Sequence, residues 1–301
     1  MRILVTDGMD AGAIDKLRLD GYEVVEQFYE PDQLGAALRD FDIVVIRSAT
    51  KIKEPQIDAA KGSCLKLIIR AGVGVDNIAV KYAEAAGIQV KNTPRASSNA
   101  VAELAIALLF ACARNLSIAG HTMREQKWEK KAYSKGFELQ GKTIGVVGYG
   151  RIGRLIGDKA QALGMNVLSC VHRTKPEGCE CETMHFVSMD ELLAQSDIIA
   201  LSAPSGEKPM VDAQSLAKMK DGVVIINTSR GANIDEAALL YALNSGKVKA
   251  AGLDVWLSEK EPNWALAAHP SVACAPHIGA GTKEAQKRIG AELVDIIEHF
   301  A

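Results

Sequence analysis

The chain has 301 residues, 48% hydrophobic and 24% charged, with a formal net charge of −2 and a sequence pI near 6.3. That length can bury enough core for two domains, and no basic excess points to nucleic acid or an anionic membrane as partner. The N-terminal apolar run is too short for a secretory signal, and the longest one, Ala100 to Ala113, is interrupted by Glu103 and too short to span a bilayer.

In chain order, short β-branched runs alternate with helical stretches. RILV, DIVVI and LKLII come first, then TIGVVG, NVLSC, DIIAL, GVVIIN and AAGLDV. Most are apolar on both faces, as buried parallel strands are. Helices are predicted over Ala11–Leu19, Arg151–Leu163, Asp235–Ser245 and Thr282–Phe300. Such alternation predicts an α/β fold with right-handed crossovers. It starts twice, at Met1 and again at Thr143, with a long helical region from Ser98 to about Lys127 between the two sets. The expectation is therefore two Rossmann-like doubly wound parallel-sheet domains with an interdomain cleft. Residues 1–97 plus 278–301 form a substrate-binding domain, the last helix crossing back, and residues 98–277 form a dinucleotide-binding domain. The helix from Ala100 is apolar nearly all round and needs cover, so a homodimer is expected.

Gly148, Gly150 and Gly153 form a G-x-G-x-x-G that directly follows a strand and opens a helix. The first glycine permits the tight turn, the second a close approach of backbone to a pyrophosphate, and the third close packing of helix on strand. N–H groups from Tyr149 to Ile152, Arg151 included, then face the phosphates. An NAD site usually has an acid about 20 residues on, at the end of the second strand, to bind the adenosine ribose. Here that position is about Val171, and His172, Arg173, Thr174 and Lys175 follow, with no acid before Glu177. A guanidinium fork and a hydroxyl suit a 2′-phosphate, which a carboxylate would repel. The cofactor is therefore NAD or NADP, with the basic turn leaning towards NADP.

The cysteines are Cys64, Cys112, Cys170, Cys179, Cys181 and Cys274. Most sit singly in apolar runs, and the CEC at 179–181 lacks a second ligand pair at zinc spacing. No metal is expected, and a reduced, cytoplasmic protein is.

The stretches NTSRGANIDEAALLYAL, AAGLDVWLSEKEP, CAPHIGAGTKEA and AGVGVDNI resemble the D-isomer-specific 2-hydroxyacid dehydrogenases, in the family's order and over nearly the whole chain. The resemblance implies a catalytic Arg230, Glu259 and His277. Glu261, which directly precedes Pro262 as the family acid usually does, is the alternative to Glu259. It also implies that Ala203, Pro204, Thr228, Ser229, Asp254 and Gly279 line the nucleotide. The chemistry fits: oxidising a secondary alcohol sends a hydride to nicotinamide and a proton to a base, and histidine suits the second task. A carboxylate beside it orients the ring and favours imidazolium. Arg230 presents a planar fork to a substrate carboxylate and carbonyl. His269 pairs with nothing comparable and is read as structural.

Within the family, VIRSATKI, IIRAGVGVDNI and NTPRASSNAVAELAIALL are most similar to the branch acting on D-3-phosphoglycerate. That implies oxidation of D-3-phosphoglycerate to 3-phosphohydroxypyruvate, a step of serine biosynthesis. Arg47 and Arg70, at ends of first-domain strands, then face the phosphate. Gly72, Val73, Gly74 and Asn77 resemble the loop that holds the substrate carboxylate. The chain ends at Ala301, without the serine-sensing domain of many such enzymes, so feedback by that route is not expected. Two alternatives stand: an NADPH-dependent hydroxypyruvate or glyoxylate reductase, or another D-2-hydroxyacid dehydrogenase, and, more remotely, a nucleotide-sensing scaffold like the C-terminal-binding corepressors.

Overall fold

The computed structural model describes residues 1–170 and 181–300. The chain divides into two compact units, Met1–Ser98 with Ala280–Ala301, and Asn99–Gly279.

The first unit carries strands β1 (Arg2–Val5), β2 (Glu23–Glu26), β3 (Ile43–Ile46), β4 (Leu67–Arg70) and β5 (Gln89–Asn92). They form one parallel sheet in the order β2-β1-β3-β4-β5. β3 is IVVI and buried throughout, because helices cover both faces of the sheet. The helices are α1 (Ala11–Leu19), α2 (Pro31–Ala37), α3 (Glu54–Ala60) and α4 (Val80–Ala85). Asp10 caps α1 by accepting the Ala13 N–H.

The second unit opens on α5 (Ser98–Arg114), whose first residue is the last of the first unit, and α6 (Leu116–Arg124). The sequence predicts one helical region here, but the two helices meet at a 69° bend. Asn115 sits between them in the left-handed region, φ 54°, a conformation asparagine tolerates and a continuous helix does not. The inner face of α5 (Ala102, Ala105, Leu108, Leu109, Cys112) joins this unit's own core, so part of its apolar circumference needs no other chain. No single helix among the described residues is long and apolar enough to cross a membrane.

Strands β6 (Thr143–Val147), β7 (Asn166–Cys170), β8 (Met184–Phe186), β9 (Ile198–Leu201), β10 (Val223–Asn227), β11 (Val248–Leu253) and β12 (Val272–Cys274) follow. They make a parallel sheet in the order β12-β11-β10-β9-β6-β7-β8. Between them run α7 (Arg151–Ala162), α8 (Met189–Gln195), α9 (Ala213–Lys218), α10 (Glu236–Ser245) and α11 (Trp264–Ala267). The last helix, α12 (Lys283–Phe300), belongs to the first unit, where Ile289, Leu293 and Ile297 pack with Ala13, Ile14 and Leu17 of α1.

Both sheets reverse their strand order once: in the first between β1 and β3, in the second between β6 and β9. Open α/β sheets bind ligands at the carboxyl ends of the strands at such a reversal.

Candidate active site

In the second unit the reversal lies beside the glycine fingerprint. Gly148 follows β6 at φ +92°, and the backbone of Ala203, after β9, stands 2.9 Å from where a Cβ on Gly148 would sit. Ser202 Oγ donates to the carbonyl of Gly148 and ties the two strand ends together. A Cβ on Gly153 would run into that same carbonyl, so the close helix–strand packing expected of this glycine is present. Gly150 is the N-cap of α7, with no side-chain cap and no acid in the first turn. The N–H groups of Arg151 and Ile152 are thus left for an anion. Thr228 is buried, and its hydroxyl has no hydrogen-bond partner among the described residues. An open glycine turn and uncapped helix start after β6 and an orphaned hydroxyl after β10, on either side of β9, fit a dinucleotide. Tyr149 is turned inward, 6% exposed and edge-on to Phe186, so its backbone rather than its ring stands at the turn. His172, Arg173 and Thr174 lie outside the described residues.

Arg230 follows β10 on a loop built by Asn227. The Asn227 side chain donates to the Arg230 carbonyl at 2.9 Å and accepts the Ser229 N–H and hydroxyl at 3.0 and 2.8 Å. Asn233 donates to Ser229 Oγ at 2.9 Å and to the Ala203 carbonyl at 3.0 Å, joining this loop to the glycine turn. One guanidinium nitrogen of Arg230 donates to the Ser229 carbonyl at 2.7 Å, which fixes the plane of the fork. Pro204 lies next to Ala203 and is exposed.

His277 follows β12 and is itself in the left-handed region, φ 54°. Asp254, at the end of β11, holds the histidine loop: its carbonyl accepts the His277 N–H, and its carboxylate accepts those of Ile278 and Gly279, all at 2.8 Å. Burial pushes the Asp254 carboxyl above its ordinary value, against the pull of those two N–H groups and of His277. Nδ1 of His277 pairs with Glu259 Oε1. Of the two candidate acids, Glu259 is therefore the one brought to the ring. His269 uses its Nδ1 to accept the Ser271 N–H at 3.2 Å, a local turn contact.

In the first unit, Arg47 follows β3 at the sheet's reversal. Asp7, just past β1, accepts the Arg47 N–H at 2.6 Å and the Thr50 hydroxyl at 2.7 Å. Asn77 donates to the carbonyls of Arg47 and Thr50, both at 2.7 Å. The amide of Asn77 thus shapes the Arg47 loop. Arg70 Nη1 donates to the Ala71 carbonyl at 2.8 Å. In the loop after β4, Gly72 donates to the Arg70 carbonyl, and Asn92 holds the Val73 carbonyl at 2.6 Å. The N–H groups of Val73 and Gly74 have no acceptor among the described residues.

Sequence reasoning missed Asp7, Thr50 and Asn227, which hold the loops that carry Arg47 and Arg230. A polar residue where an apolar strand ends, as in LVTD and VIIN, is the signal that marks two of them.

A glycine-turn nucleotide fold carrying a paired histidine and glutamate and a buttressed arginine defines a dehydrogenase acting on alcohol and carbonyl groups. Residues 106–279 match the family model of the D-isomer specific 2-hydroxyacid dehydrogenase, NAD binding domain. The chain belongs to the D-isomer-specific 2-hydroxyacid dehydrogenases and is an NAD(P)-dependent oxidoreductase. It is 44% identical over 302 residues to a hydroxypyruvate reductase of Thermotoga maritima, covering 98% of this chain and 97% of that protein. It is 40% identical over 305 residues to a D-3-phosphoglycerate dehydrogenase of Archaeoglobus fulgidus, covering all of this chain but only 57% of the relative's length. Its fold is similar to a glyoxylate reductase from Paecilomyes thermophila, with a TM-score of 0.89, 32% identity, and coverage of 99% and 94% of the two chains.

Proposed function

We propose that the protein interconverts D-3-phosphoglycerate and 3-phosphohydroxypyruvate. The observation that carries this reading is Arg47. Its loop is fixed from both sides by Asp7 and Asn77, yet its guanidinium has no ion-pair partner among the described residues and opens on a cavity of about 440 Å3 within the first unit. A cation on a fixed loop, with no counter-ion among the described residues, suits a ligand that brings its own negative charge.

A bound nicotinamide is the hydride carrier. Because Glu259 engages Nδ1 of His277, the proton passes through Nε2. In reduction, C2 of the keto acid gains a hydride and its oxygen gains the Nε2 proton, leaving neutral imidazole; oxidation reverses both transfers. Arg230 draws electron density from the carbonyl oxygen and pairs with the carboxylate. Within the first unit, the N–H groups of Val73 and Gly74 are open to a carboxylate oxygen, and Arg47 with Arg70 suits a phosphate. With no carboxylate among Val171 to Pro176, NADP is the favoured cofactor.

A second reading, a hydroxypyruvate reductase, is favoured by the match to such an enzyme over almost the full length of both chains. Initial rates of reduction of phosphohydroxypyruvate and hydroxypyruvate, each with NADH and NADPH, separate the two. We expect the phosphorylated acid to give the higher kcat/KM. Arg47→Ala should raise its KM about ten- to a hundredfold, the equivalent of one charge-assisted hydrogen bond. Preference for hydroxypyruvate, with equal losses on both substrates in the variant, would install the second reading. Tighter binding of NADH than NADPH would overturn the cofactor assignment.

A further inference from the structure

The cavity beneath Arg47 has a far wall that neither the motifs nor the catalytic trio accounts for. It is lined by Arg47, Asp10, Gly281, Thr282, Lys283, Gln286 and Lys287, all of the first unit. Three cations thus face one carboxylate, and that carboxylate already accepts the Ala13 N–H as the cap of α1. Neither lysine makes an ion pair among the described residues. Ligand pockets commonly measure about 300–1,000 Å3. The cavity also sits where the sheet reverses its order, the usual place for a ligand in this architecture.

The wall is firmly built. Thr282 caps α12, its hydroxyl accepting the Ala285 N–H at 3.1 Å and its carbonyl the Gln286 N–H at 3.0 Å. Gln286 donates back to the Ala280 carbonyl at 2.8 Å, which closes the loop before the helix. Lys283 and Lys287 stand four residues apart, on one face of the first turns. The start of an 18-residue helix adds its own positive end to theirs.

We propose that Lys283 and Lys287, with Arg47, form the specificity pocket for a dianionic substrate terminus, a phosphate monoester. The two lysines complete the discrimination between phosphorylated and unphosphorylated three-carbon keto acids, which the arginines make only in part. This rests on the function proposed above for its substrate, but not for its anion.

The test uses the double variant Lys283→Gln/Lys287→Gln, with Lys61→Gln as a control for net charge; all three lysines are exposed. Two quantities are measured on the NADPH-loaded enzyme: the ratio of kcat/KM for phosphohydroxypyruvate to that for hydroxypyruvate, and the affinity for inorganic phosphate from 31P NMR line broadening. We expect the ratio to fall about tenfold or more in the double variant and to stay put in the control. Phosphate affinity should fall in parallel, and both effects should shrink as salt is raised. An unchanged ratio, or phosphate bound equally well by the double variant, overturns the proposal. So does a wild-type enzyme that binds no phosphate. If the wild-type enzyme prefers hydroxypyruvate, the function proposed above fails. The phosphate titration then decides the pocket alone, lysine-dependent binding supporting it and lysine-independent binding refuting it.

Discussion

Asp254 is 1% exposed, and both its backbone and its side chain are committed to the loop that carries His277. An asparagine there has one acceptor oxygen for two N–H groups, and its amide would point a donor at the second. We expect Asp254→Asn to cost about 1–3 kcal/mol of stability, the cost of a buried N–H left without an acceptor. The pH dependence has a definite sign. Burial raises the folded carboxyl above its ordinary value of 3.8, so the folded state binds the proton more tightly than the unfolded one. The stability this group contributes is full below the ordinary value and is lost as pH rises through the raised one. The wild-type advantage over the variant in urea midpoint should therefore be larger at about pH 4 than at about pH 7. An advantage that grows with pH would show that the two N–H bonds outweigh burial. The family resemblance implies that Asp254 is a cofactor contact. Its hold on the histidine loop depends on β11 and β12 lying side by side, with Leu253 opposite Cys274, which residue spacing does not reveal.

At the scale of elements, the deep strands were legible because they are apolar on both faces, as in IVVI of β3 and IIAL of β9. β2 (EVVE) and β5 (QVKN) lie at the sheet edges, where one side of each strand meets solvent, and their polar residues hid them. The crossing of α12 on α1 turns on Gly290. A Cβ there would sit 2.8 Å from the Ala13 Cβ and 3.0 Å from the Asp10 Cβ. Helix backbones approach this closely only where a side chain is missing. Gly290→Val should therefore push α12 off α1 and destabilise the first unit by about 1–3 kcal/mol, read as a lower urea midpoint. Because Asp10 and Lys283 belong to the two helices it separates, the same variant should weaken phosphate binding. A variant as stable as wild type would mean that α12 slides without strain.

Across the whole molecule, the two starts of the strand–helix alternation were visible in the sequence, whereas the lysine wall of the cavity was not, since it comes from residues some 240 positions beyond Arg47. Association is legible only in part. Much of the apolar surface of α5 is covered by its own unit, which weakens the simple argument from a helix apolar all round. What is left lies further on. α6 buries none of its residues, and Leu116, Met123 and Trp128 are 57%, 55% and 78% exposed, with Phe110 at 38% just before them. Large apolar side chains gathered in one stretch of exposed surface mark a contact. A second copy is the partner most readily at hand, because a two-fold interface needs only one such patch to meet itself. We expect light scattering to give about twice the 32.2 kDa of the chain, and Met123→Glu/Trp128→Glu to return it to the single-chain mass. Wild-type protein that runs at the single-chain mass at high concentration would leave this patch for a different partner.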